Sequence, residues 1–265
     1  DFGFDSYLAP AGAGELSIRQ ASLTQKGSLM GNFALKWEKF VHAMIDNGGY
    51  RNVLEGLRNT LLVAVFGLII GIVIGTLIAT VEVMPKYKRL PRVLNQICKL
   101  YVAFFRGTPL VVQLLVGYFV LRPLLGLSLS ALASCIIIYG MNSGAYVSEI
   151  MRGGIQSVDS GQMEAGRALG LGYATTMVRI VIPQAIKNIL PTLGNEFIAL
   201  VKDTSIVSFV GAADLYVAFN LIGTNSYEFM VPYLVMALIY IVLVLIISAG
   251  IKLMERGLAK SDRRN

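Results

Sequence analysis

The 265-residue chain is short of charge: Asp, Glu, Lys and Arg make up 15% of it, against about 25% in soluble domains. It holds one His, two Cys and one Trp. The lone His42 has no metal-ligand cluster to join, so a zinc-type catalytic centre finds little support and no metal site is expected. Cys98 and Cys135 both fall in apolar runs, which suits apolar filling rather than a disulfide framework. No Gly, four residues, Gly-Lys-Ser/Thr pattern occurs, so the chain itself is not expected to hydrolyse ATP through a P-loop. Residues 1–30 contain no apolar run resembling a signal peptide, and the chain starts at Asp1 rather than Met, which leaves room for residues upstream.

Apolar sequence is abundant instead. Hydrophobic residues make up 55%, glycines number 27 and the mean hydropathy is +0.66. About 20 apolar residues cross a bilayer as a helix, and five windows qualify: 61–81, 97–121, 128–148, 186–212 and 229–251. The chain therefore reads as an all-α integral membrane protein with five spans. Its net charge of +7 belongs to topology and not to nucleic-acid binding. Lys and Arg accumulate in short cytoplasmic loops: the loop 82–96 holds Lys86, Lys88, Arg89 and Arg92, and the tail 252–265 holds Lys252, Arg256, Lys260, Arg263 and Arg264. The segment 122–127 has only Arg122, and 213–228 has none. This distribution puts the C-terminus inside, the N-terminus outside and the segment 149–185 in the cytoplasm.

Three regions follow. Residues 1–49 form an extracytoplasmic tail: a Gly/Ala/Ser-rich stretch to about residue 31, then apolar positions Phe33, Trp37, Phe40, Val41, Met44 and Ile45 at helical spacing. That helix either lies in the membrane interface or packs on the bundle. Residues 50–255 form the transmembrane domain, and 256–265 a basic cytoplasmic tail. In the first span Gly67, Gly71 and Gly75 recur every four residues, a stripe for close helix packing rather than a site. The fifth span has no charge and carries Pro232 in its first turn, and it is expected to face lipid along much of its surface. No internal inverted repeat is visible, which weakens the case for a common secondary-transporter architecture.

Polar groups in membrane helices need a reason. Arg106 lies nine residues into the second span, more than about 10 Å along the helix from Ile97, within the run Phe104-Phe105-Arg106-Gly107-Thr108-Pro109 that continues to Gln113. Pro109 and Gly107 suggest a broken helix lining a polar cavity, and the alternative is an Arg106 that reaches to an interface. In the third span Asn142, Tyr146 and Glu149 share one face. In the fourth, Asn195 and Lys202 share a face beside that of Glu196 and Asp203. Pairing of Lys202 with either carboxylate for stability alone is one reading. Collectively the set suits a zwitterion, whose α-amino and α-carboxylate groups need partners of both signs when they leave water.

The segment 149–185 is the most specific part of the chain. Glu164-Ala165-Gly166, then Gly170, then Ile180-Val181-Ile182-Pro183 resemble the Glu-Ala-Ala loop of the permease subunits of ATP-binding-cassette importers, in which Glu-Ala-Ala and Gly precede Ile, any residue, Leu and Pro. Gly166 and Ile182 depart from that pattern. Phe105-Arg106-Gly107-Thr108-Pro109 with Gln113, and Asn195-Glu196-Phe197-Ile198 with Lys202-Asp203-Thr204-Ser205, are similar to signatures of the polar amino-acid permeases. The resemblance covers about residues 50–255.

It implies the five-helix core of a type I importer permease, paired with a second such subunit as a homo- or heterodimer. It implies two separate ATPase subunits holding ATP and Mg, each docked on the short helix of a Glu-Ala-Ala loop, and an extracytoplasmic solute-binding protein in a bacterial inner membrane. Physically, a short helix ended by Gly170, which permits a sharp turn, is a compact knob able to transmit closure of the ATPases. Arg106, Thr108, Gln113, Asn142, Tyr146, Glu149, Asn195, Glu196, Lys202, Asp203 and Ser205 are the candidate contacts for a small polar amino acid. Glu164, Ala165, Gly166, Gly170, Ile180 and Pro183 are the candidates for ATPase coupling, and no cofactor is expected in the chain itself. A secondary transporter or channel using Glu149, Glu196 and Asp203, and a related importer for another solute, remain the alternatives.

Overall fold

The computed structural model describes residues 31–84 and 89–262, and every regular element among them is a helix. In chain order these are α1 (31–45), α2 (Gly49–Val83), α3 (Arg89–Gly107), α4 (Leu110–Leu124), α5 (Ala131–Gln156), α6 (Ser160–Ala168), α7 (Tyr173–Val210), α8 (Leu215–Ser226) and α9 (Met230–Asp262). The Gly/Ala/Ser-rich stretch expected as a tail lies outside the described residues up to Met30, as do Lys86, Lys88, Arg263 and Arg264.

Helices α2, α5 and α9 are long and apolar enough to cross a membrane singly. Two bent pairs bring the number to five if each counts as one span: α3 with α4 at 106°, and α7 with α8 at 55°. The second expected span, 97–121, is thus not one straight helix. Its interruption falls at Thr108 and Pro109, because proline disfavours helical backbone in the residue before it. Pro109 itself is extended, with φ −64° and ψ 137°, and precedes the first residue of α4.

The helices also outrun their apolar windows. The first begins at Gly49 rather than 61, the third continues to Gln156 and the fourth begins at Tyr173 rather than 186. A hydropathy window measures the thickness crossed, whereas a helix continues until its backbone bonds fail, and Arg, Glu and Gln are good helix formers. Arg89 and Arg92, expected in a loop, accordingly lie on α3, and Glu149 and Arg152 lie on α5.

Two further prolines are accommodated without a break. Pro123 and Pro183 each stand two residues past a π-turn, Gly117–Leu121 and Met177–Val181. In each case the residue before the proline donates its N–H five residues back, Arg122 to Gly117 O and Ile182 to Met177 O. The wider turn makes room for a ring that would otherwise press on the preceding turn.

The bundle is organised on the seam between α2 and α5. A Cβ added at Gly71 would lie 2.7 Å from Ser143 Oγ, and one at Gly75 would lie 2.7 Å from Ser148 N. The fit is reciprocal: Ile70 fills the notch at Gly140 and Ile74 the notch at Gly144, at 2.5 and 2.7 Å from the missing Cβ atoms. The glycine stripe is therefore a packing surface. Beside it Val63, Leu114, Cys135, Tyr139, Val201 and Val207 form the main buried cluster. Cys98 packs in a smaller one with Ile78, Val102 and Phe105, and both cysteines are free. Helix α9 packs on the bundle by one side, with Val231 buried and Leu243 and Ile247 packed on the main cluster, but no residue of its most apolar 18-residue window is buried.

Helix α1 packs on the bundle by one edge only. Phe40 and Ala43 are buried against Val53, Leu215, Phe219 and Val231, and Lys36 Nζ lies 3.3 Å from a Glu228 carboxylate oxygen. Phe33, Trp37 and Ile45, expected on the same apolar face, stay exposed.

Overpacking a close helix contact costs about 1–3 kcal/mol. Gly75→Ala should therefore lower the thermal unfolding temperature of the purified protein in detergent. Gly250→Ala on α9, where nothing lies within 4 Å of the added atom, should leave it within error of the parent protein.

Candidate functional site

The break between α3 and α4 removes water-free partners from backbone carbonyls, and two side-chain amides replace them. The Gln113 amide nitrogen donates to Phe105 O at 2.8 Å, to Thr108 O at 3.0 Å and to Thr108 Oγ1 at 2.9 Å. Its oxygen accepts from Asn142 Nδ2 at 2.9 Å, which also reaches Phe105 O at 3.5 Å. Thr108 Oγ1 in turn donates to Phe104 O at 2.8 Å. Both amide side chains are buried. They bracket the break, and each unpaired carbonyl they spare would be expensive in hydrocarbon.

On the same side of α5, Tyr146 and Glu149 meet Arg106. The guanidinium lies 5.5 Å from the Tyr146 ring centroid, a cation–π geometry, and 3.7 Å from Glu149 Oε2. Arg152 hydrogen-bonds the same carboxylate oxygen, lies 3.7 Å from Glu82 Oε2 and donates to Gln156 Oε1 at 3.0 Å. Two cations and two carboxylates thus alternate as Arg106, Glu149, Arg152, Glu82 and join the ends of α3, α5 and α2. Glu82 and Arg152 were absent from the sequence-based site. Their signals were the three-residue spacing of Glu149 and Arg152 on a helix and a lone carboxylate at the end of the first apolar window.

The polar groups of α7 are arranged separately. Glu196 Oε1 accepts from Ser143 Oγ at 2.9 Å, and the Tyr139 hydroxyl donates to the Asp203 backbone carbonyl at 2.6 Å. Asn195, Lys202 and Asp203 are exposed, and among the described residues no salt bridge joins Lys202 to Glu196 or Asp203. Lys202 and Ser205 line a groove of about 570 Å³ with Tyr216 of α8 and Tyr240 of α9, and Arg106, Asn142 and Glu149 do not line it. The eleven candidate contacts therefore fall into the bracketed break, the ion chain and the open face of α7, with Glu196 turned from that face onto Ser143 of α5.

Helix α6 forms a capped knob. At its start the Asp159 carboxylate accepts from Gly161 N at 2.7 Å. At its end Leu171 N donates to Gly166 O at 3.1 Å and Gly170 N to Arg167 O at 3.0 Å, the paired bonds of a Schellman motif. Gly170 has φ +82°, the left-handed conformation expected of it. Gly166, one of the two departures from the family pattern, is buried, and a Cβ there would lie 2.5 Å from Thr176 Cγ2 and 3.2 Å from Ile180 Cδ1. Close packing of α6 on the start of α7 thus selects glycine. Glu164, Ala165 and Pro183 are exposed, and so is Leu169, at 81%, which composition alone did not single out. The knob is tied to the bundle where Tyr173 OH donates to Val83 O of α2 at 2.8 Å.

This assembly can be placed among known proteins. A family model for binding-protein-dependent transport system inner membrane components matches residues 67–260. The chain belongs to that family. It is thereby an inner-membrane, multi-pass component of a transport system. The arginine transport system permease protein ArtQ of Bacillus subtilis is 39% identical over 210 residues, covering 79% of this chain and 94% of ArtQ. GlnP of Rickettsia bellii, whose name assigns it provisionally to glutamine transport as a permease protein, is 39% identical over 209 residues, with the same shares covered. A crystal structure of an amino acid ABC transporter with histidines superposes with a TM-score of 0.72 at 39% identity, covering 78% of this chain and 94% of that one.

The bracket at the break predicts coupled energetics. Gln113→Leu strands buried carbonyls and should cost about 1–3 kcal/mol. Asn142→Leu should cost less once Gln113 is already replaced, a non-additivity that a double-mutant cycle of thermal stability in detergent measures.

Proposed function

We propose that the chain is the transmembrane permease subunit of an ATP-driven importer that moves polar amino acids into the cytoplasm, and that it is driven by a separate ATPase through α6. The observation that carries this reading is the Glu-Ala-Ala segment folded as a short helix, capped by Asp159, closed by a left-handed Gly170 and presenting Glu164 and Ala165 outward. Family membership and the names of the relatives support it. In this reading α3 with α4, and α7 with α8, are the second and fourth of five spans, the N-terminus lies outside and the basic C-terminal end of α9 lies in the cytoplasm. Residues 50–255 form the permease domain, and α6 with the segment around it, within 149–185, is the coupling loop.

The partners follow from the same reading: a second permease subunit, two ATPases carrying ATP and Mg, and an extracytoplasmic solute-binding protein. Exposed Asn195, Lys202 and Asp203 on a membrane helix call for water or protein beside them, which a paired subunit and a solute path between the two would provide. Arg106, Tyr146 and Glu149 supply a cation, a phenol and a carboxylate, while Asn195, Glu196, Lys202, Asp203 and Ser205 supply both signs of charge on α7. Thr108, Gln113 and Asn142 contribute by holding the break in shape. ArtQ and GlnP are named for solutes that share α-amino and α-carboxylate groups and differ in side-chain charge, and groups of both signs fit that common part.

Two experiments test the reading. Glu164→Ala, and Gly170→Ala at a cost of about 1 kcal/mol or more at positive φ, should leave the protein inserted but reduce co-purification of the ATPase or abolish ATP-driven uptake in proteoliposomes. Retention of both in both variants counts against α6 as the coupling element. Glu196→Gln and Asp203→Asn should change or abolish uptake while thermal stability holds. Stability falling in parallel with uptake marks a structural role, such as the hydrogen bond of Ser143 to Glu196, whose loss costs about 1–3 kcal/mol when a buried partner is left unpaired. Wild-type uptake of every amino acid tested removes these residues from the path.

A further inference from the structure

Helix α1 lies outside the residues matched by the family model, and its side chains fall into three stripes. Lys36, Phe40 and Ala43 face the bundle, the last two buried at 5% and 6% exposure. Glu38, His42 and Asp46 recur every four residues on an exposed polar edge, with His42 and Asp46 3.8 Å apart. Between these edges runs a third stripe at the same spacing, Phe33, Trp37, Val41 and Ile45. Of it only Val41 is partly covered, while Phe33, Trp37 and Ile45 are 43%, 47% and 64% exposed. A docked helix with one watery edge and one uncovered apolar edge is not explained by packing on the bundle alone.

The position of α1 says what covers that edge. Phe40 and Ala43 share a buried cluster with Val231, in the first turn of α9, and the ion pair of Lys36 with Glu228 sits just before the apolar run that begins at Phe229. The outward residues of α9 at that level, Met230 and Leu234, are themselves apolar and about half exposed. The third stripe of α1 is therefore level with the outer end of a helix that leaves one apolar side, Met230, Leu234, Leu238 and Ile241, exposed. Tyr50 in the first turn of α2, and Tyr227 and Phe229 either side of Glu228, are exposed aromatic side chains as well. Trp and Tyr concentrate at this depth because their rings take one apolar and one hydrated side.

We propose that the Phe33, Trp37, Val41 and Ile45 stripe is seated in the headgroup–acyl boundary of the bilayer, so that α1 is an interfacial anchor which fixes the adjoining ends of α8 and α9 at the membrane surface. The inference does not depend on which solute is carried. The occupant is lipid because the stripe is level with the exposed apolar side of α9, and because the hydrated edge of Glu38, His42 and Asp46 flanks it on the side away from the bundle, as in a helix lying in the interface.

Trp37 is the single Trp of the chain and reports on the stripe directly. In liposomes holding the assembled transporter, the signal of Trp37 is the fluorescence lost on Trp37→Phe. Lipids brominated just below the headgroup should quench that difference by roughly half or more, as contact with the interface requires. Lipids brominated at the chain ends should quench it less, and acrylamide in the water should quench it weakly. Strong acrylamide quenching without lipid quenching would place the stripe in water. Insensitivity to all three would mean that another protein surface covers it, and either result overturns the proposal. Ile45→Glu, at the far end of the stripe, gives a second reading: the Trp37 signal should become more accessible to acrylamide, and an unchanged response also overturns it.

Discussion

A backbone that leaves its helix inside a bilayer has no water to turn to, and the two bends of this bundle are each closed by polar side chains from the same or a neighbouring helix. At the break between α3 and α4 the closing groups are Gln113 and Asn142. At the bend between α7 and α8 they are Asn59, whose amide donates to Ala213 O at 2.9 Å, Thr60, whose hydroxyl accepts from Leu215 N at 3.3 Å, and Asp214, which accepts from Val217 N at 2.9 Å. Thr60 and Asp214 are fully buried. These residues are polar, and their hydrogen bonds go to backbone groups at the breaks. They allow two spans to bend by 106° and 55° without leaving the family of membrane-stable structures.

That requirement explains why α2 and α5 form the central seam. Helix α5 supplies Asn142 to one break and α2 supplies Asn59 and Thr60 to the other, so the two helices must be held in fixed register. Glycines at 71, 75, 140 and 144 provide that register by removing every Cβ that would separate the backbones. Van der Waals contact of this kind does most of the work between membrane helices, since lipid chains leave little hydrophobic force to drive association.

The same seam reaches the α6 knob. Tyr173, at the start of α7, donates to the last carbonyl of α2. One residue earlier on α2, Glu82 lies beside Arg152 of α5, which shares Glu149 with Arg106 of α3. The capped α6 knob is packed through Gly166 against Thr176. The segment that follows the knob and the ion chain thus meet on adjacent residues at the end of α2.

Much of this was legible in the sequence because it depends on local chemistry. Five apolar windows, the glycine stripe of α2, the interruption near Pro109, the sharing of one face by Asn142, Tyr146 and Glu149, and the left-handed turn at Gly170 each follow from hydropathy, spacing or backbone sterics within a few residues. The true helix ends were not, since hydrogen bonding continues past the apolar window into Arg- and Glu-bearing turns. Nor was the partner of any polar group: which carbonyl Gln113 caps, that Glu82 and Arg152 extend the ion chain, and that Ser143 rather than Lys202 meets Glu196 all depend on residues far apart in the chain. The sequence determined which helices form and where they yield. Tertiary packing decided which side chains close the broken backbone and which remain open toward lipid, water or a partner, because those assignments are fixed only when distant helices come within hydrogen-bonding reach.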